Sequence, residues 1–270
     1  MENRIAMLLS KTKYNVYDLA EIVKVLRSEN GCPWDKVQTH QSIRGDFLEE
    51  VYEVLEAIDC DSKEMLREEL GDVLLQVIFH AEIETEKDSF DLDDIANDVC
   101  KKLIIRHPHV FGDVNADNVD TVLKNWDSIK KETKGQESYT DTLKSVPKVF
   151  PTLMRAQKLG KRASRAGMDF KGIDDCFSSL KSEVAEIEDA LNNNDTDSAV
   201  AELGDLLFSC ANLSRKLGVD AEELIDKAND KFLRRFEAVE SLVSQDGFDM
   251  AELDIETLDT YWEKVKLYGN

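Results

Sequence analysis

Four short strings carry the groups most able to do chemistry: Glu49-Glu50-x-x-Glu53, Glu69-x-x-Asp72, Glu183-x-x-Glu186 and Glu202-x-x-Asp205. Residues three apart lie on adjoining turns of one helical face, so two antiparallel helices bearing such pairs aim four carboxylates at one point. A simpler reading exists for the first helix. Leu48, Val51, Tyr52, Leu55 and Ile58 form one stripe with Glu49, Glu50, Glu53 and Glu56 opposite, which taken alone is an amphipathic helix with its acids in water. The next helix argues against that. Between Leu70 and Ala81 the only formal charge, with His80 neutral, is Asp72, and between Ala199 and Leu213 the only charges are Glu202 and Asp205. A helix apolar nearly all round is expected to be buried, and a carboxylate there must be neutralised by a salt bridge or a cation. Four oxygen donors without a soft ligand suit Mg²⁺, or Mn²⁺ as a substitute. A di-iron bundle would want Glu-x-x-His, and none of His40, His80, His107 or His109 stands three residues after a site Glu.

Basic residues narrow the chemistry. Lys102 and Arg106, and again Lys231 and Arg235, are four apart on expected helices, with Lys227 and Arg234 beside the second pair. They could simply balance charge on an acidic surface. Their recurrence downstream of both acidic sets instead fits phosphoryl chemistry, in which a metal binds largely through substrate phosphates. Trp126 and Trp262 could stack a nucleotide base or sit in a helical core. His107-Pro108-His109 could touch phosphate, although capping a helix is the plainer role.

The elements that position these residues are duplicated. Glu50 and Glu183, Glu53 and Glu186, Glu69 and Glu202, and Asp72 and Asp205 all stand 133 residues apart, as 183 less 50 shows. The order continues with Lys102–Arg106 against Lys231–Arg235, Trp126-x-x-Ile-Lys130 against Trp262-x-x-Val-Lys266, and Gly31-x-x-Trp34 against Gly167-x-x-Phe170. Sustained period-two alternation is absent, so both halves read as all-α. In each, a helix near 46–59 or 175–192 turns into a second near 62–86 or 196–217. Asp61-Ser62 and Asp195-Thr-Asp-Ser198 supply N-cap chemistry for the second helices. The expected organisation is two tandem helical-bundle domains, 1–134 and 148–270, joined by a polar linker, 135–147, with little helical patterning.

Composition sets the limits. With 56 Asp and Glu against 34 Lys and Arg, the 270-residue chain carries a formal charge of −22. That field disfavours nucleic acid and anionic membrane surfaces as partners. A hydrophobic fraction of 42% with 12 Gly and 4 Pro describes a folded, helix-rich protein. Five cysteines without a C-x-x-C pair argue against a disulfide framework or structural zinc. The first residues lack signal-peptide organisation, and no apolar run approaches the ~20 residues of a membrane helix. A soluble cytoplasmic protein is expected.

The chain closely resembles the MazG family of nucleoside triphosphate pyrophosphohydrolases. The likeness rests on Glu29-Asn-Gly-Cys-Pro-Trp-Asp35, the duplicated E-x-x-E and E-x-x-D pairs, Arg106-His-Pro-His-Val-Phe111 and Lys227-Ala-Asn-Asp-Lys-Phe232, and it covers nearly the whole chain. It implies an all-α fold, a homodimer with bundles completed across subunits, and Mg²⁺-dependent hydrolysis of NTPs or dNTPs to monophosphate and pyrophosphate. Carried onto this sequence, the resemblance makes Glu50, Glu53, Glu69 and Asp72 the metal ligands of the first half, and Glu183, Glu186, Glu202 and Asp205 those of the second. Lys102 and Arg106, or Lys227, Lys231, Arg234 and Arg235, would meet the phosphates. Trp262 and Lys266, with Trp126 and Lys130, would wall the nucleotide pocket, and Glu49 would position or deprotonate water.

One departure matters. The counterpart of Glu49 in the second half is Ser182, so E-E-x-x-E becomes S-E-x-x-E. Either that half positions its water by other means or it is impaired. With the large negative charge, Ser182 also leaves open a non-catalytic acidic dimeric scaffold derived from such an enzyme.

Overall fold

The structure is a computed structural model that describes residues 2–112, 122, 129 and 138–268. The described residues contain helices and turns but no strand. The chain divides into two compact units, Met1–Lys130 and Lys131–Asn270.

The first unit contains α1 (Glu2–Leu9), α2 (Val16–Arg27), a 3₁₀ turn at Asp35–Val37, α3 (Arg44–Asp59), α4 (Lys63–Thr85), α5 (Leu92–Arg106) and the single turn α6 (Pro108–Phe111). Its centre is the α3–α4 hairpin, with α2 and α5 laid against α4. Val23, Ile43, Ile78, Phe79 and Ile83 form the buried core at the end of α4 remote from the acidic pairs. Local side-chain chemistry starts α2, α4 and α5. Asn15 and Asp18 make a capping box on α2, Asp91 and Asp94 make another on α5, and Ser62 Oγ accepts from Met65 N–H at the start of α4.

Two polar links pin the segment before α3 onto α4. Arg27 is buried across Phe79, forks onto Glu86 at 2.7 and 2.8 Å, and donates to the Asp35 and Gln38 carbonyls. His40 stacks on His80, the two Nδ1 atoms 2.7 Å apart, while its Nε2 meets Glu84 at 2.7 Å. Hydrogen bonds from Lys87 and His40 hold the Glu84 carboxyl down at about 2. Burial, reinforced by His40, disfavours the charged form of His80.

The second unit contains α7 (Tyr139–Lys144), α8 (Thr152–Arg165), α9 (Ile173–Asn192), α10 (Thr196–Leu217), α11 (Ala221–Gln245), a 3₁₀ turn at Met250–Glu252 and α12 (Ile255–Tyr268). An α9–α10 hairpin again forms the centre, α8 packs on α10, and α12 packs on α11. The last pair encloses Val239, Val243, Tyr261 and Val265. The Glu222 carboxylate accepts from Leu153 and Met154 N–H, so α11 supplies the cap of α8. Asp169 binds Arg215 at 2.6 Å and Lys216 at 2.8 Å, and the Arg215 bond above all holds its carboxyl down at about 2.

The duplication reaches the backbone. Asp61 has φ +50° and Asn194 has φ +54°, each immediately before the N-cap residue of the next helix, Ser62 or Asp195. Asp and Asn enter this left-handed region more readily than other side chains. α7 lies within the stretch expected as a linker. It forms because Ser138 and Asp141 make a reciprocal capping box, and it packs on α8, where Arg162 donates to the Thr142 carbonyl.

Two burial expectations change. Leu48, Val51, Tyr52, Leu55 and Ile58 are exposed on α3, while Glu50 and Glu53 are half-buried toward the hairpin. Nor is either second helix covered all round. Leu70 and Leu74 on α4, and Val200, Leu203, Leu207 and Phe208 on α10, stand open in the single chain. Part of each hairpin's apolar surface thus faces outward, while Glu50, Glu53, Glu69, Asp72, Glu183 and Glu202 are half-buried.

Candidate metal centres

In the first unit, carboxylate oxygens of Glu50 on α3 and of Glu69 and Asp72 on α4 lie within 4.8 Å of one another. All three residues are half-buried. Glu53 joins them electrostatically and shares a hydrogen bond with Glu69. Burial, followed by repulsion from Asp72, Glu53, Glu69 and Glu49, lifts the Glu50 carboxyl above the usual carboxylate range. Burial and Glu53 do the same for Glu69.

The second unit repeats the arrangement with a different trio. Oxygens of Glu183 and Glu186 on α9 and Glu202 on α10 lie within 4.8 Å of one another. Asp205 is more exposed and outside that group, though its charge still raises the Glu183 carboxyl behind the larger effects of burial and Glu186. Ser182 Oγ donates to Glu186 Oε1 at 2.9 Å, and the buried Ser209 Oγ donates to Glu183 Oε1 at 3.5 Å. Ser209 was not among the sequence candidates. Its only signal was a hydroxyl at the position that corresponds to Gln76, inside an apolar helix.

These donor sets fit a hard divalent cation. They consist of oxygen alone, they converge from two helices, and among the described residues burial and neighbouring acids dominate at the Glu50, Glu69 and Glu183 carboxyls. Salt bridges serve other acids, including Glu84, Glu86, Asp169, Glu223 and Glu263.

The surrounding candidates are placed unevenly. Glu49 is exposed on α3, one residue from the trio, and its charge reaches Glu50. On α5, Lys102 is exposed and Arg106 is buried. On α11, Lys231 and Arg234 are exposed, Lys227 pairs with Glu223 at 3.3 Å, and the buried Nε of Arg235 has no hydrogen-bond partner among the described residues. Trp262 packs on the core of α11 and α12 with its ring 5.4 Å from that of Phe232. Lys266 pairs with Glu263 at 2.6 Å. His107 caps α5, its Nδ1 2.6 Å from the Leu103 carbonyl, as the plainer reading of His-Pro-His required. Trp126 and Lys130 lie outside the described residues.

A model of the MazG nucleotide pyrophosphohydrolase domain matches this chain over residues 38–111 and again over 173–240. The two matches together cover more than half of the chain, and each spans one carboxylate hairpin. The chain belongs to the MazG family. Over 249 residues, 92% of this chain and 94% of the relative, it is 41% identical to the nucleoside triphosphate pyrophosphohydrolase/pyrophosphatase MazG of Thermotoga maritima. It is 43% identical over 251 residues, 92% of this chain and 95% of the relative, to the nucleoside triphosphate pyrophosphohydrolase of Escherichia coli K12. A nucleoside triphosphate pyrophosphohydrolase of Mycolicibacterium smegmatis matches at 34% over 215 residues, 78% of this chain and 64% of the relative. The MazG match thus falls on both halves, in agreement with the internal duplication. Among the described residues, no MazG helix here is long and apolar enough to cross a membrane.

Proposed function

We propose that the protein is a Mg²⁺-dependent nucleoside triphosphate pyrophosphohydrolase that cleaves NTPs or dNTPs with water to the monophosphate and pyrophosphate. The observation that carries this reading is the pair of converging carboxylate trios, one in each family-matched segment. Glu50, Glu53, Glu69 and Asp72 would hold the ion in the first half, and Glu183, Glu186, Glu202 and Asp205 in the second. Mg²⁺ held there, or Mn²⁺ in its place, would supply charge to offset the phosphate oxygens and would make the attacking water easier to deprotonate.

The protein's own groups divide the remaining work. Lys102 and Arg106 on α5, and Lys227, Lys231, Arg234 and Arg235 on α11, supply positive charge to the triphosphate. Arg235 holds a buried N–H without a partner among the described residues, a donor that a phosphate oxygen would satisfy. Glu49 has an exposed carboxylate beside the first trio and accepts a proton from the attacking water. Trp262 offers an indole face next to α11 for the base, with Lys266 one turn further along α12. Trp126 and Lys130 take the same part in the first half.

The exposed stripes support a homodimer. Leu48, Val51, Tyr52, Leu55 and Ile58 on α3, with Leu70 and Leu74 on α4, present an apolar face that a second hairpin would cover. Val184 on α9 and Leu203 and Leu207 on α10 present another. Bundles completed by a second subunit would bury these faces and further desolvate the carboxylates, strengthening their demand for a cation.

Product analysis tests the reaction. Purified protein incubated with an equimolar NTP and dNTP mixture should release monophosphate and pyrophosphate with Mg²⁺ and nothing with a chelator. Orthophosphate and diphosphate as the products would assign another phosphohydrolase chemistry. Failure to turn over any nucleotide would favour the acidic scaffold.

A further inference from the structure

The two clusters are built differently around the same four acids. Positions 49 and 76 of the first half hold Glu and Gln; their counterparts, 182 and 209, both hold Ser. Ser182 donates to Glu186 from one turn earlier on α9, at 2.9 Å. Ser209, only 6% exposed, donates to Glu183 across the hairpin from α10, at 3.5 Å. Each α9 carboxylate of the trio therefore receives one hydroxyl, and the hydroxyls come from different helices.

We infer that Ser182 and Ser209 are positioning residues of the second metal centre, holding Glu186 and Glu183 in the attitude that receives a divalent cation. This deepens the metal reading above and rests on it. A carboxylate has two oxygens and about four acceptor sites, so one hydroxyl bond leaves the group free to ligate. A neutral O–H also eases repulsion between converging acids without adding a positive charge that would compete with the ion. Glu49 does the reverse in the first half, since its charge raises the Glu50 carboxyl. On this account Ser182 is not the scar of a lost catalytic group. It exchanges a nearby charge for an orienting hydrogen bond, the kind of outer partner whose removal costs roughly 10–100-fold in metal affinity.

Mn²⁺ alone is the probe, titrated into the full-length chain and followed by the electron paramagnetic resonance of the free ion. Glu69→Gln with Asp72→Asn first disables the other cluster. In that background Ser182→Ala should weaken Mn²⁺ binding about tenfold, Ser209→Ala should weaken it in the same direction, and Ser182→Thr should restore affinity to within about threefold. Ser182 is exposed and Ala favours helix, so loss of folding does not confuse the first variant. A background that binds no Mn²⁺ at the second cluster would overturn the metal reading and this proposal with it. Mn²⁺ binding that is equal with and without Ser182→Ala would leave the metal reading standing and overturn the positioning role.

Discussion

Glu50, Glu69 and Glu183 hold their protons more tightly than ordinary carboxyls because burial and neighbouring acids both oppose ionisation. A folded-state pKa raised above the unfolded value makes the native state the better proton binder in the window between the two. Stability from these groups therefore falls as pH rises through the unfolded value near 4.5 and above it. Asp169 and Glu84 act oppositely. Their carboxyls are held at about 2, so their contribution is full above the unfolded values and is lost as pH falls toward 2. In chelator, melting of Glu50→Gln compared with the parent from pH 4.5 to 7 should show a growing advantage for the variant, roughly 1–2 °C at the upper end. Excess Mg²⁺ should shrink or reverse that advantage, because the ion stabilises only a chain that binds it. A parent more stable than the variant in chelator at every pH would contradict the repulsion argument. The carboxylates were legible in sequence because three-residue spacing fixes a common helical face. Ser209 was not, since it meets Glu183 only after α9 and α10 fold together.

Gly160 sits where α8 crosses α10, and a methyl group there would drive into the buried amide of Asn212. Asn212 Oδ1 accepts from Arg215 Nε at 3.2 Å, and its Nδ2 donates to the Phe208 carbonyl at 3.3 Å, so the amide cannot yield without losing partners. Gly160→Ala should destabilise the second unit by about 1–3 kcal/mol in urea unfolding, despite the better helix propensity of Ala. An unchanged midpoint would mean that the helices separate freely. Arg215, on the same helix, also binds Asp169. Asp169→Asn should cost about 1 kcal/mol at pH 7, with the deficit vanishing as pH falls toward 2. At this scale the hairpins and their caps could be read directly. Ser62 and Asp195 start helices within a residue or two of the expected points, because N-cap chemistry is local. The helix α7 escaped because six polar-rich residues show little amphipathic period, leaving the Ser138/Asp141 box as its only sequence signal.

The molecule's charge of −22 and its exposed apolar stripes impose complementary demands. The stripe on α3 was legible as apolar, but its direction was not. The periodicity of one helix cannot say whether its apolar face meets its own chain or another, and here the hairpin interior is taken by carboxylates. Sedimentation at micromolar concentration should show a dimer, and Leu55→Glu with Leu203→Glu should shift it toward monomer while circular dichroism stays helical. A parent that is monomeric at those concentrations would contradict the dimer. The same charge makes a divalent cation the natural escort for a triphosphate, since an ion held at each cluster would offset part of its negative charge. The most direct measurement of the whole account is Mg²⁺-dependent pyrophosphate release by three variants: Glu69→Gln with Asp72→Asn, Glu202→Gln with Asp205→Asn, and all four together. The fourfold variant should fall at least about 100-fold while remaining helical, with the two double variants dividing the activity between the halves. Parent-level pyrophosphate release from the fourfold variant would contradict the assignment of the carboxylate clusters as the metal centres of the reaction.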